Sequence, residues 1–167
     1  MISLARARYR APMANFLDLG LVYDPVQRCF DLALGDDFDL VLDETPIPAI
    51  VMSIGLDRRA SPDDDLPEGR SQLLAPASFS ERRGCIRDAL DPNGELAGCK
   101  LWLLDRAKET ETTRQLCEYW IEEAMAWAEL ETGAPAEIEV AWVRAGVLGY
   151  RVQVEDSSIE LTRRVNA

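Results

Sequence analysis

Ile50-Val51-Met52-Ser53-Ile54-Gly55 runs into Leu56-Asp57-Arg58-Arg59-Ala60 and then into the acidic turn Asp63-Asp64-Asp65-Leu66-Pro67. A polar loop carrying Arg82-Arg83-Gly84-Cys85 follows, and Gly98-Cys99-Lys100-Leu101-Trp102-Leu103-Leu104-Asp105-Arg106-Ala107-Lys108 closes the stretch. The apolar spacing predicts a short helix at the start of this stretch and a second one over 100–108. Between them lies a loop dense in paired arginines and aspartates. Its chemistry by itself names no function.

Thr45-Pro46 predicts the start of the first helix, with Thr as N-cap and Pro at the first helical position. Ile47, Ile50, Val51 and Ile54 follow at helical spacing. Further upstream, Leu21-Val22-Tyr23 ends at the turn signal Asp24-Pro25. Phe30, Leu32 and Leu34 alternate with small or polar residues, Gly35-Asp36-Asp37 turns the chain, and Phe38, Leu40 and Leu42 alternate again. This pattern predicts a β-meander with one buried face.

Downstream, 61–96 is rich in proline and glycine, which predicts a long loop with few internal ties that orders against a partner. Thr110 is placed to cap a helix running to about Glu131, stopped by Gly133 at the C′ position. Leu116, Trp120, Ala124, Trp127 and Ala128 would form its inner face, widened by Cys117, Ile121 and Met125. Alternation of Ile138, Val140 and Trp142, of Tyr150, Val152 and Val154, and of Ile159 and Leu161 predicts antiparallel strands over 137–144, 150–155 and 158–163. The fold class is α+β: one domain over 18–167, preceded by a small basic arm over 1–17. Trp102 is expected in the core, facing the late helix beside Leu101 or Leu104.

The chain has 167 residues, enough for one real core. Its net charge of −12, from 30 acidic and 18 basic residues, opposes general binding to nucleic acid and favours basic partner surfaces. No apolar run approaches the roughly 20 residues of a membrane helix, so no membrane partner is expected. The first ten residues lack the apolar region of a signal peptide, which predicts synthesis in the cytoplasm.

There is no histidine. That removes the commonest general base, Ser-His-Asp and Cys-His catalysis and the commonest zinc ligand. Nothing matches a glycine-rich phosphate loop. Cys29, Cys85, Cys99 and Cys117 show no CxxC spacing, so free thiols are expected. Cys85, in the loop, and Cys99, at a helix start that favours thiolate, are the candidates for cross-linking to a neighbour. Asp63, Asp64 and Asp65 offer hard oxygen ligands, but consecutive carboxylates point in different directions. Glu137 and Glu139 lie side by side on a solvent face rather than across a cleft. Arg58, Arg59, Arg82 and Arg83 suit bidentate carboxylate contacts, either within the chain or across an interface.

The ordered set of segments quoted first, with Asp18-Leu19-Gly20-Leu21-Val22-Tyr23-Asp24 and Asp31-Leu32-Ala33-Leu34 before it, resembles the phage Mu gene-product-forty-six family of tail baseplate proteins. The resemblance spans about 18–154. Departures are Cys85-Ile86 where the family commonly has tryptophans, Cys99 in place of a small residue, and a longer 71–80 segment. Gly133-Ala134-Pro135-Ala136-Glu137 also stands where the wider family carries Glu-Pro-Arg, so no role tied to that triplet is carried over.

What the resemblance implies is a non-enzymatic wedge component of a contractile-tail baseplate, similar in role to the sheath-initiating wedge protein of T-even phages. Its implied partners are other wedge proteins, the tail sheath and central hub or spike proteins, with several copies around a symmetric baseplate in the virion and no cofactor. The interface candidates are Arg58, Arg59, Asp63, Asp64, Asp65, Arg82, Arg83, Ile159 and Leu161, the last two on a strand expected at the sheet edge. The rival readings are a metal-dependent hydrolase using Asp63, Asp64 and Asp65, and a cytosolic adaptor.

Overall fold

The structure is a computed structural model describing residues 16–67, 80–92 and 94–165. The basic arm, apart from Phe16 and Leu17, and the middle of the long loop lie outside the described residues.

Alternation builds the main sheet. β5 (Glu137–Arg144), β6 (Val147–Val154) and β7 (Ser157–Arg164) pair antiparallel in that order through the tight turns Ala145-Gly146 and Glu155-Asp156. Ile138, Val140 and Trp142 pair with Val152, Tyr150 and Leu148, so one face is apolar across both strands. β6 starts earlier than its tyrosine because Val147 and Leu148 are themselves buried.

α2 (Glu111–Ala124) lies on this face. Thr110 caps it, its hydroxyl accepting the Thr113 N–H at 3.2 Å. The expected single helix breaks at Met125-Ala126 and resumes as α3 (Trp127–Thr132). Met125 leaves helical geometry at φ −97°, and its N–H is shared between the Ile121 and Glu122 carbonyls. Trp127 sits at the break, its indole N–H donating to Ser53 Oγ at 2.9 Å. No proline or glycine marks the bend, which coincides with that tertiary contact. Gly133 closes α3 at φ 78°, the left-handed position expected of it.

The inner stripe is Cys117, Ile121, Met125 and Ala128, all buried. Leu116 is exposed, and Trp120, Ala124 and Trp127 are only partly buried. The buried face is therefore rotated by about one residue from the expected one.

α1 (Ile47–Gly55) begins after Pro46 rather than at it, and the Thr45 hydroxyl accepts the Ile47 N–H at 3.3 Å. Ile50 and Ile54 face the core. The expected helix over 100–108 is only a 3₁₀ turn, Lys100–Leu104, all five residues of which are buried. Leu101 and Leu104 join the main core with α1, α2 and the sheet. Trp102 and Leu103 form a second cluster with Ala60, against Leu66 and Trp120. Trp102 is thus buried towards the late helix as expected, but beside Leu103 rather than Leu101 or Leu104.

The N-terminal meander forms, but its apolar face is not buried. β1 (Asp18–Leu19) pairs with β4 (Leu42–Asp43), and β2 (Leu21–Asp24) with β3 (Cys29–Leu32). Nearly every large apolar side chain on these strands is exposed. Phe16 anchors the base of this ribbon, its ring edge-on to Trp127 at 5.9 Å.

One crossing locks the centre. Cys99 N–H donates to the Leu56 carbonyl at 2.9 Å and Arg58 N–H to the Cys99 carbonyl at 3.1 Å, a parallel bridge across the long excursion. Gly98 has φ +89°, and a Cβ there would run into the Leu56 carbonyl, whose carbon would lie at 2.8 Å. Gly98→Ala is expected to destabilise the chain by about 2–4 kcal/mol, from left-handed strain plus the forced separation of the two segments. Urea unfolding is the check. A midpoint equal to the parent's would mean the crossing does not bear on stability.

Candidate functional site

The central arginines and aspartates converge around Trp102. Its indole N–H donates to the Arg58 carbonyl at 2.8 Å. The Arg83 guanidinium lies over its ring, 4.6 Å from the centroid. Arg83 also donates to Asp57 at 2.7 Å and Asp105 at 3.3 Å. Asp105 takes a further ion pair from Arg163 of β7. One guanidinium thus ties the end of α1 to the 3₁₀ turn, and the shared Asp105 extends the tie to the sheet.

A second knot fixes the acidic turn. Asp64 accepts from the Lys100 ammonium at 2.8 Å and from the Ser61 N–H at 2.7 Å. Lys100 also donates to Ser61 Oγ at 3.0 Å. Arg82 donates to the Ser61 and Pro62 carbonyls, the latter at 3.0 Å, and its own carbonyl accepts the Ala60 N–H. The described flanks of the long loop are therefore held internally, contrary to the expected scarcity of ties.

The structure brings the sequence candidates together unequally. Arg82, Arg83 and Asp64 share the site described above, and Arg58 pairs with Glu123 of α2 at 3.6 Å. Arg59 packs beneath Gly84, where a Cβ would meet its side chain at 3.2 Å. Asp63 and Asp65 are exposed on either side of Asp64, and each is engaged in an interaction of its own. Among the described residues no group of three or more carboxylates or thiols is placed to hold a metal ion. Ile159 packs against the main core and Leu161 is exposed, both far along the chain from the arginine cluster. Sequence reasoning missed Ser61, Asp57, Asp105, Lys100 and Arg163 as members of the network. Their contacts span loop and sheet, and no local periodicity announces them.

The cysteines divide by depth. Cys29 is exposed, and Cys85 caps the 3₁₀ turn Ile86–Ala89, its sulfur accepting the Arg87 N–H at 3.2 Å. Cys99 departs from expectation. It is buried, its thiol donates to the Trp120 carbonyl at 3.1 Å, and burial pushes its pKa up to about 11. A cross-linking thiolate there is not favoured. Burial likewise pushes Cys117 up to about 12.

At the sheet, β7 is one edge and β5 the other. β5 carries a register shift between Trp142 and Arg144, whereas β6 and β7 pair without interruption over eight positions. Val154 and Ser157 close the β6–β7 turn as a hydrogen-bonded pair, and Val165 N–H reaches the Gly146 carbonyl at 2.9 Å. By alternation, Ser158, Glu160, Thr162 and Arg164 turn their backbone N–H and C=O groups to the free edge. All four are exposed.

Against known proteins, residues 47–160 match the family described as Phage protein GP46. Baseplate protein gp46 of Escherichia phage Mu is 32% identical over 92 residues, covering 55% of this chain and 56% of that protein. The aligned part thus spans about half the length of the relative. The match to the family begins at α1, so the N-terminal ribbon lies outside it, short of the resemblance read from residue 18 onward.

If the knot at Asp64 is structural, Asp64→Ala should cost about 2–4 kcal/mol, because it leaves a largely buried ammonium without its carboxylate. Asp63→Ala, at an exposed position, should cost well under 1 kcal/mol by the usual standard of surface changes. Thermal melts of the two variants decide it, and equal effects would sink the assignment. The thiols give a second test. Their folded pKa values of about 11 and 12 lie above the ordinary 9.0, so the stability they contribute is full below about pH 9 and is lost as pH rises through 11 and 12. The melting temperature should fall with alkaline pH, and less steeply in Cys117→Ala. Tyr150, pushed up to about 12 by burial, leaves a residual slope in both proteins.

Proposed function

The chain belongs to the Phage protein GP46 family, and from that membership we propose that it is a non-enzymatic structural component of a phage contractile-tail baseplate. In this reading it sits in the virion, in several copies, at the wedge and core of the baseplate. There it joins wedge scaffold proteins, contacts hub or spike proteins, and offers the first surface on which sheath grows. It comprises one domain over 18–167 and is made in the host cytoplasm.

The observation that carries the sheath part is the edge of β7. It is eight residues long, paired with β6 without interruption and free of proline, with only Glu160 and Arg164 as charged side chains beside its outward backbone groups. Natural sheets usually blunt such an edge. A strand from a sheath subunit would complete it through backbone hydrogen bonds with little demand on sequence. The arginine–aspartate network supports the same reading indirectly. Arg163 ties β7 to Asp105 and through it to Arg83, so an edge under load is braced against the 3₁₀ turn and α1.

Truncation after Asp156 would not isolate this edge from the core. β7 supplies Ile159 to the core and leads into Val165, which is fully buried. Thr162→Pro is cleaner, because it removes a donor that points away from β6, and proline is tolerated at such edges. The expected outcome is a folded protein that enters baseplates but leaves tail tubes bare of sheath under electron microscopy. Normally sheathed tails carrying the variant would refute the role of this edge.

A further inference from the structure

The N-terminal ribbon presents an apolar face that the described residues leave exposed. Leu21 opposes Leu32, and Tyr23 opposes Phe30 with ring centroids 5.2 Å apart. These four share one face by the period of the strand, while Val22, Asp24, Cys29 and Asp31 take the other. Leu19 opposite Leu42 and Leu34 opposite Leu40 extend the same alternation. Exposure runs from 48% at Leu32 to 67% at Phe30 across the four central residues. At the far turn Phe38 is 87% exposed and held at φ 64°, a backbone region in which a bulky side chain is an outlier. The inner face of α2 and α3 does not supply the cover. The stripe from Cys117 to Ala128 is already buried in the core beneath the main sheet.

Charge selects among external covers. Between Phe16 and Glu44 eight carboxylates stand against the single guanidinium of Arg28. A second copy would set the same carboxylates against these, and anionic lipid or nucleic acid would be repelled in the same way. An apolar surface bordered by cations meets both properties of the ribbon.

We infer that the ribbon over 19–42 is a docking arm whose apolar face is covered by an apolar surface rimmed with lysine and arginine, carried by a different protein. The inference does not depend on the baseplate reading, since the ribbon lies outside the segment that matches the family.

The test uses the full chain and two short labelled peptides, one alternating leucine with lysine and one alternating leucine with glutamate. Fluorescence anisotropy should show binding of the lysine peptide alone. The double change Phe30→Ser and Leu32→Ser, which leaves the charge unaltered, should weaken that binding by at least about tenfold. Ile86→Ser with Leu90→Ser removes comparable exposed apolar surface elsewhere and should leave it unchanged. Phe30→Ile with Leu32→Val keeps the face apolar and should retain binding. Sedimentation velocity should give a monomer throughout. Unchanged binding in the serine pair would reduce the attraction to net charge and overturn the inference. Equal loss in the serine and the isoleucine–valine pairs would assign the effect to hairpin shape and also overturn it. So would a parent dimer that the serine pair dissociates, because the cover would then be a second copy.

Discussion

The two backbone hydrogen bonds between Cys99 and the segment Leu56–Arg58 hold the centre of this fold in place. They set the start of the 3₁₀ turn against the end of α1. Trp102 can then bury its ring against Ala60 and send its indole N–H to the Arg58 carbonyl. Once the ring is fixed, Arg83 has a surface to lie on and two carboxylates, Asp57 and Asp105, within reach. The bridge needs close approach of two backbones, which Gly98 alone permits at that point.

Several of the basic residues are engaged in ion pairs within the chain. Arg58, Arg83, Arg163 and Lys100 each meet a carboxylate belonging to another segment, and Arg114 pairs with Glu111 and Glu118 on its own helix. Exposed pairs of this kind contribute little singly. The value of the pairs made by Arg58, Arg83, Arg163 and Lys100 is geometric, since each ties together segments distant along the chain. The N-terminal ribbon, with Arg28 as its single cation, keeps the strongest excess of acid.

Features determined within a few residues were legible in the sequence. The alternation of 137–144, the Thr110 cap and the stop at Gly133 all depend on local geometry. The 3₁₀ turn at Lys100–Leu104 has the same apolar run as a helix; only burial on all sides, which is tertiary, distinguishes them. The depth of Cys99 was hidden for the same reason. The ribbon is the most instructive case. Alternation states that one face is apolar, but it cannot say whether this chain or another supplies the cover. Of the candidate site, the arginine and aspartate pairs were visible by composition, whereas Asp57, Asp105, Lys100 and Arg163 became partners only through the crossing at Cys99.

The tight turns of the β5–β7 sheet bear on the order in which the chain assembles. Contacts between residues close in sequence cost little loop entropy, so hairpins of this kind form early. The crossing of Leu56 with Cys99 joins distant segments and must follow once the sheet and α2 offer a surface to close upon. A closure of that kind depends only weakly on how much chain it encloses: each doubling of a flexible loop costs about 0.6 kcal/mol. The ends of the excursion are clamped by Arg82 and by Gly98. A change in the length of chain between Pro62 and Arg82 should therefore cost little, whereas a change of residue at Gly98 or at Arg83 should not be neutral.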